Sequence, residues 1–300
     1  MTVVLSDDVA AAVATGAPVV GLETSVIGQG LPRPRNLECI ERMSGAIREE
    51  GAVPAWTGVM DRLVRVGLDD AEIRRFATSD EVVKVARRDL PAAVAAGGLG
   101  ATTVSATIWC AHRAGIRVAA TGGIGGVHPG PTPDVSADLL ELARTPVLLV
   151  CSGPKSIVDP ARTAEKLEEL GVLVVGYGVD RLPFFLVGES PVELEHRVDD
   201  PREAAALVGA LASLELRAAI LLCNPIPPHS AMEPQMVMEA TRRAEERKGA
   251  AGISGKDVTP FLLTALAEET DGRSLESNLD LLEDNARLAA RVAVAVGDRV

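Results

Sequence analysis

The chain has 300 residues, 47% of them hydrophobic and 2% aromatic, and a formal net charge of −12. That length holds one large α/β domain or two small ones and can bury a substantial core. The acidic balance and the scarcity of stacking rings exclude a broad nucleic-acid partner; a small anionic substrate stays open, because a pocket needs only a few local donors.

The opening MTVVLSDDVAAAVATG carries acids where a secretory leader carries bases. No apolar run approaches the ~18 residues of a membrane span. A cytoplasmic protein without a membrane partner is expected. Cys39, Cys110, Cys151 and Cys223 form no CxxC pair, so neither a zinc site nor a disulfide framework is indicated.

Short apolar runs recur at 18–22, 52–57, 116–120, 146–151, 172–177 and 218–223, each bounded by Gly, Pro or Asn. Continuous rather than alternating hydrophobicity predicts strands covered on both faces. Helical patterns lie between them at 35–50, 89–96, 102–114, 135–143, 161–170 and 201–212. The last third reads as helices at 233–247, 257–270 and 274–296, a helical cap or an oligomer-forming part. The expectation is a single three-layer α/β/α domain over residues 1–300, with a central, largely parallel or mixed sheet and a helical C-terminal part.

Four segments after predicted strands are rich in glycine and polar residues. In GLETSVIGQG, Glu23 leaves an apolar strand; a desolvated carboxylate suits a general acid, and pairing with an arginine is the bland alternative. In GGLGATTVSATIW, Thr102, Thr103 and Ser105 open a helix whose free N–H groups suit phosphate, although a plain helix cap is the better account of this segment taken alone. In ATGGIGGVHPGPTPDVSADL, four glycines let backbone approach a ligand. Asp134 and Asp138 there suit a mostly hydrated divalent ion, or only a helix cap and a solvated face. His128 reads as a ligand contact or as a loop-ordering hydrogen bond.

The fourth segment is CSGPKSIVD. The chain uses five lysines against 25 arginines, and Lys155 and Lys84 interrupt apolar or glycine-rich surroundings. Lysine can lose its proton and attack a carbonyl carbon, which arginine cannot. The free side chain is only about 0.04% neutral at pH 7, so burial and a neighbouring cation would have to favour the amine.

Taken together, LETSVIGQGLPRPRN, GAVPAWTGVMDRLVRVGL, VVKVARRDLP, GATTVSATIWCAHRAGIRVAATGGIGGVH, DVSADLLELARTPV, CSGPKSIVD, NPIP and GKDVTPFLL resemble the pseudouridine-5′-phosphate glycosidases, also known as the indigoidine synthase A-like group. The resemblance runs nearly end to end. It implies reversible cleavage of pseudouridine 5′-phosphate to uracil and ribose 5-phosphate, with Mn2+, by a homotrimer of α/β/α subunits acting in pseudouridine catabolism. It implies Glu23 as proton donor and Lys155 as covalent nucleophile. It further implies Lys84, Thr103, Val104, His128, Ser136, Ala137, Asp138 and Asn285 as substrate contacts, and Asp134 as the metal ligand. The chain departs from the family pattern at Gln29, Pro129 and Pro154, and in a shorter loop from His128 to Asp134. Pseudouridine joins ribose to uracil through carbon, so no leaving-group heteroatom can be protonated as in an ordinary glycosidase. A lysine that captures the anomeric carbon and opens the sugar supplies the route instead.

Overall fold

The computed structural model describes residues 3–130, 134–253, 255 and 258–297. Their strands are β1 (Val3–Leu5), β2 (Val19–Glu23), β3 (Val53–Met60), β4 (Leu63–Val66), β5 (Val83–Val85), β6 (Gly100–Thr102), β7 (Val118–Ala120), β8 (Leu148–Cys151), β9 (Leu173–Tyr177), β10 (Arg197–Val198) and β11 (Ile220–Cys223). They join in one sheet of order β1-β4-β3-β2-β7-β8-β11-β9-β10, with β6 pairing β3 and β5 pairing β6. The stretch from β3 through β2, β7, β8 and β11 to β9 is parallel; β3 runs antiparallel to β4 and β6.

The helices are α1 (Asp7–Thr15), α2 (Arg35–Glu49), α3 (Asp70–Thr78), α4 (Leu90–Ala96), α5 (Val104–Arg113), α6 (Ala137–Leu142), α7 (Pro160–Glu169), α8 (Pro201–Ser213), α9 (Pro234–Ala251), α10 (Val258–Glu269) and α11 (Arg273–Gly297). Strand alternation assigns them to layers. Val118, Ala120, Leu148, Val150, Ile220 and Leu222 pack with Met43 of α2, Val208 of α8 and Leu282 of α11. The intervening Ala119, Leu149, Cys151, Leu221 and Cys223 pack with Ile108 of α5, Leu139 of α6 and Leu167 of α7. Both faces are covered, which is why these strands are apolar throughout. The architecture is the expected three-layer α/β/α.

The last helix departs from the expected cap. Leu279, Leu282, Ala286, Ala289, Ala290 and Ala293 of α11 are buried in the main core, so α11 is a central member of a covering layer. α10 packs on α9 and touches α11, so α9 and α10 form a flanking pair. All four cysteines are buried and free. No helix among the described residues is long and apolar enough to cross a membrane.

The topology selects one place for a site. From β2 the chain steps to β3 on one side, and from β7 to β8 on the other, so strand order reverses between β2 and β7. Ligands of open α/β sheets bind outside the carboxyl ends of the strands at such a point.

Candidate active site

A cavity of about 280 Å³ opens there. β2 is buried along its whole length, and its last residue, Glu23, is only 5% exposed. The Glu23 carboxylate spans the reversal point: Oε1 accepts from the Thr121 hydroxyl just beyond β7, and Oε2 accepts from the Ser25 hydroxyl. Among the described residues two hydroxyls, and not the arginine of the alternative reading, hold this carboxylate. Two hydroxyl donors, one on each oxygen, fix the orientation of the carboxyl group in the cavity.

Lys155 enters the same cavity from the turn after β8, half-buried. Its backbone N–H donates to Ile124 O at 3.0 Å, and Ile124 N–H donates to Gly153 O at 3.1 Å. This lattice ties the lysine turn to the glycine loop after β7. No hydrogen bond or ion pair to a described residue engages Lys155 Nζ.

The opposite wall carries cations and amides. β5 pairs with β6 so that Lys84 lies beside Ala101, two residues before Thr103. That register delivers Lys84 to the N-terminus of α5, where the first backbone N–H groups lack helical acceptors. Thr103 N–H donates to Val85 O and Ser105 N–H to Asp138 Oδ1, both at 3.0 Å. No described residue accepts from Val104 N–H. Lys84, Arg88, Thr103 and Val104 all line the cavity.

The glycine loop and the start of α6 complete the rim, contributing His128, Asp134, Ser136, Ala137 and Asp138. Neither aspartate caps α6; Ser136 does, its Oγ accepting from Asp138 N–H at 3.2 Å. The Asp138 carboxylate accepts from Ser105 N–H and Gly125 N–H, each at 3.0 Å, so it braces α5 against the glycine loop. Asp134 is exposed, and no described residue pairs with its carboxylate. The two carboxylates therefore do not share one job. His128 orders the loop through its backbone N–H, which donates to Asp134 O at 2.9 Å. Its ring Nδ1 is buried without a partner, and burial lowers its pKa. Residues 131–133 of this loop, and Lys256 and Asp257 of GKDVTPFLL, lie outside the described residues.

Asn285 does not line the cavity. It is fully buried on α11, and its amide donates to Thr121 O at 2.9 Å and Ser152 Oγ at 3.0 Å. Asn278, seven residues earlier on the same helix face, lines the cavity instead, and no described residue hydrogen-bonds its side chain. Phe185 and Leu282 wall that end; Gln29 also lines the cavity, its Nε2 donating to Val82 O at 2.9 Å. Asn278 carried a sequence signal only as one more helical asparagine, and Thr121 only as the residue before the glycines.

A family profile described as indigoidine synthase A like protein matches residues 8–295. The chain belongs to the indigoidine synthase A-like family. Relatives named pseudouridine-5′-phosphate glycosidase include one from Saccharopolyspora erythraea, 48% identical over 98% of this chain and 97% of the relative. Another, from Herpetosiphon aurantiacus, is 50% identical over the same shares. Among solved structures, the prealnumycin C-glycosynthase AlnA in complex with ribulose 5-phosphate superposes with a TM-score of 0.91, at 38% identity over 100% of this chain and 98% of that one. An indigoidine synthase A-like protein from Thermotoga maritima gives 0.89, at 37% identity over 94% of each chain. The family thus includes enzymes named for making or breaking glycosidic bonds to carbon.

Proposed function

We propose that this chain cleaves, reversibly, the carbon–carbon glycosidic bond of pseudouridine 5′-phosphate, giving uracil and ribose 5-phosphate. The observation that carries this reading is the meeting of Glu23 and Lys155 in one cavity across the strand-reversal point. The names of relatives nearly half identical from end to end support it. So does the ribulose 5-phosphate held by the C-glycosynthase, which supports a pentose phosphate as the sugar half.

In this reading Lys84 and the Val104 amide hold the phosphate, as a point charge and a helix N-terminus suit a dianion. Asn278 offers an amide carbonyl as acceptor and an amide NH2 as donor to the imide edge of the base, against the apolar wall of Phe185 and Leu282. Glu23 gives its proton to the ribose ring oxygen while the neutral amine of Lys155 bonds to C1′. The C1′–O bond breaks, and the ring opens. The new ammonium of Lys155 returns a proton to the Glu23 carboxylate; its nitrogen lone pair then forms the C1′=N bond as the C1′–C5 bond to uracil breaks, and Glu23 gives that proton to C5, completing uracil. Water adds to the iminium, its released proton going back to the Glu23 carboxylate, and collapse of the carbinolamine releases ribose 5-phosphate and restores the amine. Over the cycle one water is consumed.

For Mn2+, the donor set fits only a weakly held ion. No group of three His, Cys, Asp or Glu side chains converges among the described residues, so Asp134 would be the one protein carboxylate, with waters filling the rest. Bound there, the ion would offset phosphate charge and order water at the rim.

The test is uracil release from pseudouridine 5′-phosphate, with and without Mn2+, with uridine 5′-phosphate as the control. Release only from the carbon-linked nucleotide is expected. Equal release from both substrates points to an ordinary nucleosidase, and release from neither sinks the proposal.

A further inference from the structure

Asn285 is fully buried and lies where three parallel strands end. Its Nδ2 donates to Thr121 O at 2.9 Å, Gly122 O at 3.3 Å and Ser152 Oγ at 3.0 Å. Its Oδ1 accepts from Asn224 Nδ2 at 3.1 Å, and the same Nδ2 reaches Asp284 Oδ2 at 2.7 Å. The two carbonyls can only accept, so the amide nitrogen must face them, and Asn224 holds it in that orientation. One side chain of α11 thereby joins residues just beyond β7 (Thr121, Gly122), β8 (Ser152) and β11 (Asn224).

Two of the joined residues lead to the chemistry. Thr121, whose backbone Asn285 holds, gives its hydroxyl to Glu23. Ser152 stands three residues before Lys155, and its N–H donates to Gly122 O at 2.8 Å. Asn278 reaches the cavity two helical turns earlier, about 10 Å along the axis. We infer that Asn285 is a positioning residue that sets the distance between the proton donor Glu23 and the nucleophile Lys155, and registers both against Asn278. The inference rests on the roles given to Glu23 and Lys155 above. Asn285 itself does not meet the substrate, so its loss should slow the reaction without weakening binding.

The experiment uses full-length protein carrying Asn285→Ala or, as a milder cut that keeps the asparagine, Ser152→Ala. Three quantities are read: kcat and KM for pseudouridine 5′-phosphate, hydride trapping of ribose 5-phosphate on Lys155, and the folded fraction by circular dichroism. Misplacement by an ångström costs on the order of 100-fold. A kcat lower by roughly 10- to 100-fold per folded molecule is expected for Asn285→Ala, with KM within about threefold and trapping slowed in parallel. Ser152→Ala should move the same quantities in the same direction by less. Unchanged kcat per folded molecule in both variants overturns the inference, as does a raised KM at constant kcat, which would make Asn285 a substrate contact. If Asn285→Ala does not fold, Ser152→Ala decides alone. Wild-type protein that neither releases uracil nor traps sugar sinks the reading of the site, and this inference with it. Wild-type turnover with indifferent variants sinks the inference only.

Discussion

Arginine is the default cation of this chain, and most arginines have a carboxylate within ion-pair distance, as Arg42 does with Asp280 and Glu283 at 2.6 Å. Lys155 has no such partner among the described residues and faces the cavity. Lys155→Arg keeps the charge but cannot form an iminium. The variant should fold, bind phosphate and release no uracil, and hydride trapping with ribose 5-phosphate should label wild type at Lys155 alone. A labelled peptide from elsewhere, or near-normal turnover in the variant, would remove the covalent role. Lys84→Ala should raise KM roughly 10- to 100-fold with a smaller change in kcat, the size expected from losing one charge-assisted contact; an unchanged KM counts against a phosphate contact. Asp134→Ala should weaken Mn2+ binding by calorimetry, and equal affinity in variant and wild type would reject the ligand role. Glu23 and Lys155 were legible in the sequence because each interrupts an apolar or glycine-rich segment with a reactive group. In the sequence, Asn285 reads as a substrate contact and Asn278 is passed over, because the two lie seven residues apart on one helix face and only the packing of α11 shows that Asn278 lines the cavity while Asn285 is buried beneath it.

Among the elements, the strands of the parallel core were legible because burial on both faces writes an unbroken apolar run. β1, β5, β6 and β10 were not, being two or three residues long and fixed by pairing partners far along the chain. α3 went unpredicted although its start carries a capping box, with Asp69 accepting from Glu72 N–H at 2.8 Å and Glu72 accepting from Asp69 N–H at 3.0 Å. α11 read as a cap because its charged residues hide its length of small ones; alanines at 286, 289, 290 and 293 let it lie close on the sheet. The turn that carries Lys155 depends on Gly153, which has φ +76°, and a Cβ there would fall 1.9 Å from Pro183 O. That oxygen belongs to backbone and cannot step aside. Gly153→Ala should therefore destabilise the fold by roughly 2–4 kcal/mol, from overpacking plus left-handed strain, and lower the thermal midpoint by several degrees. Gly209→Ala is the control, since nothing lies within 4 Å of its added Cβ. Equal midpoints for the two variants would contradict the packing argument.

The whole molecule carries its negative charge into a titration with two separate windows. His128 is the group that matters above the carboxylate range. Burial lowers its pKa; Asp134 and Glu245 oppose that, while Lys248 and Lys84 add to it. The unfolded chain thus binds a proton near pH 6.5 that the folded chain refuses. The neutral-histidine stability is fully present above about pH 6.5 and is lost as pH falls through the lower folded value. The second window belongs to carboxylates held down by cations. Arg291, then Arg287, lower Glu50; Asp280 is lowered by the Ser230 hydroxyl and Arg42 in spite of the burial that raises it. Arg242 and Arg243 bring Glu239 to about 2, although its full exposure leaves that pair little weight. These contributions are present above the ordinary carboxylate range and vanish as pH falls through the depressed values. Thermal midpoints measured from about pH 7.5 down to about pH 3 should therefore fall in two stages, the first beginning near pH 6.5. His128→Gln should erase the first stage and leave the second, because glutamine fills the same loop position without titrating. Arg42→Ala should do the reverse, lowering stability at neutral pH and flattening the acid limb. A first stage that survives in His128→Gln would assign it to another group, and with it would go the claim that the rim of the cavity holds this imidazole in its neutral form.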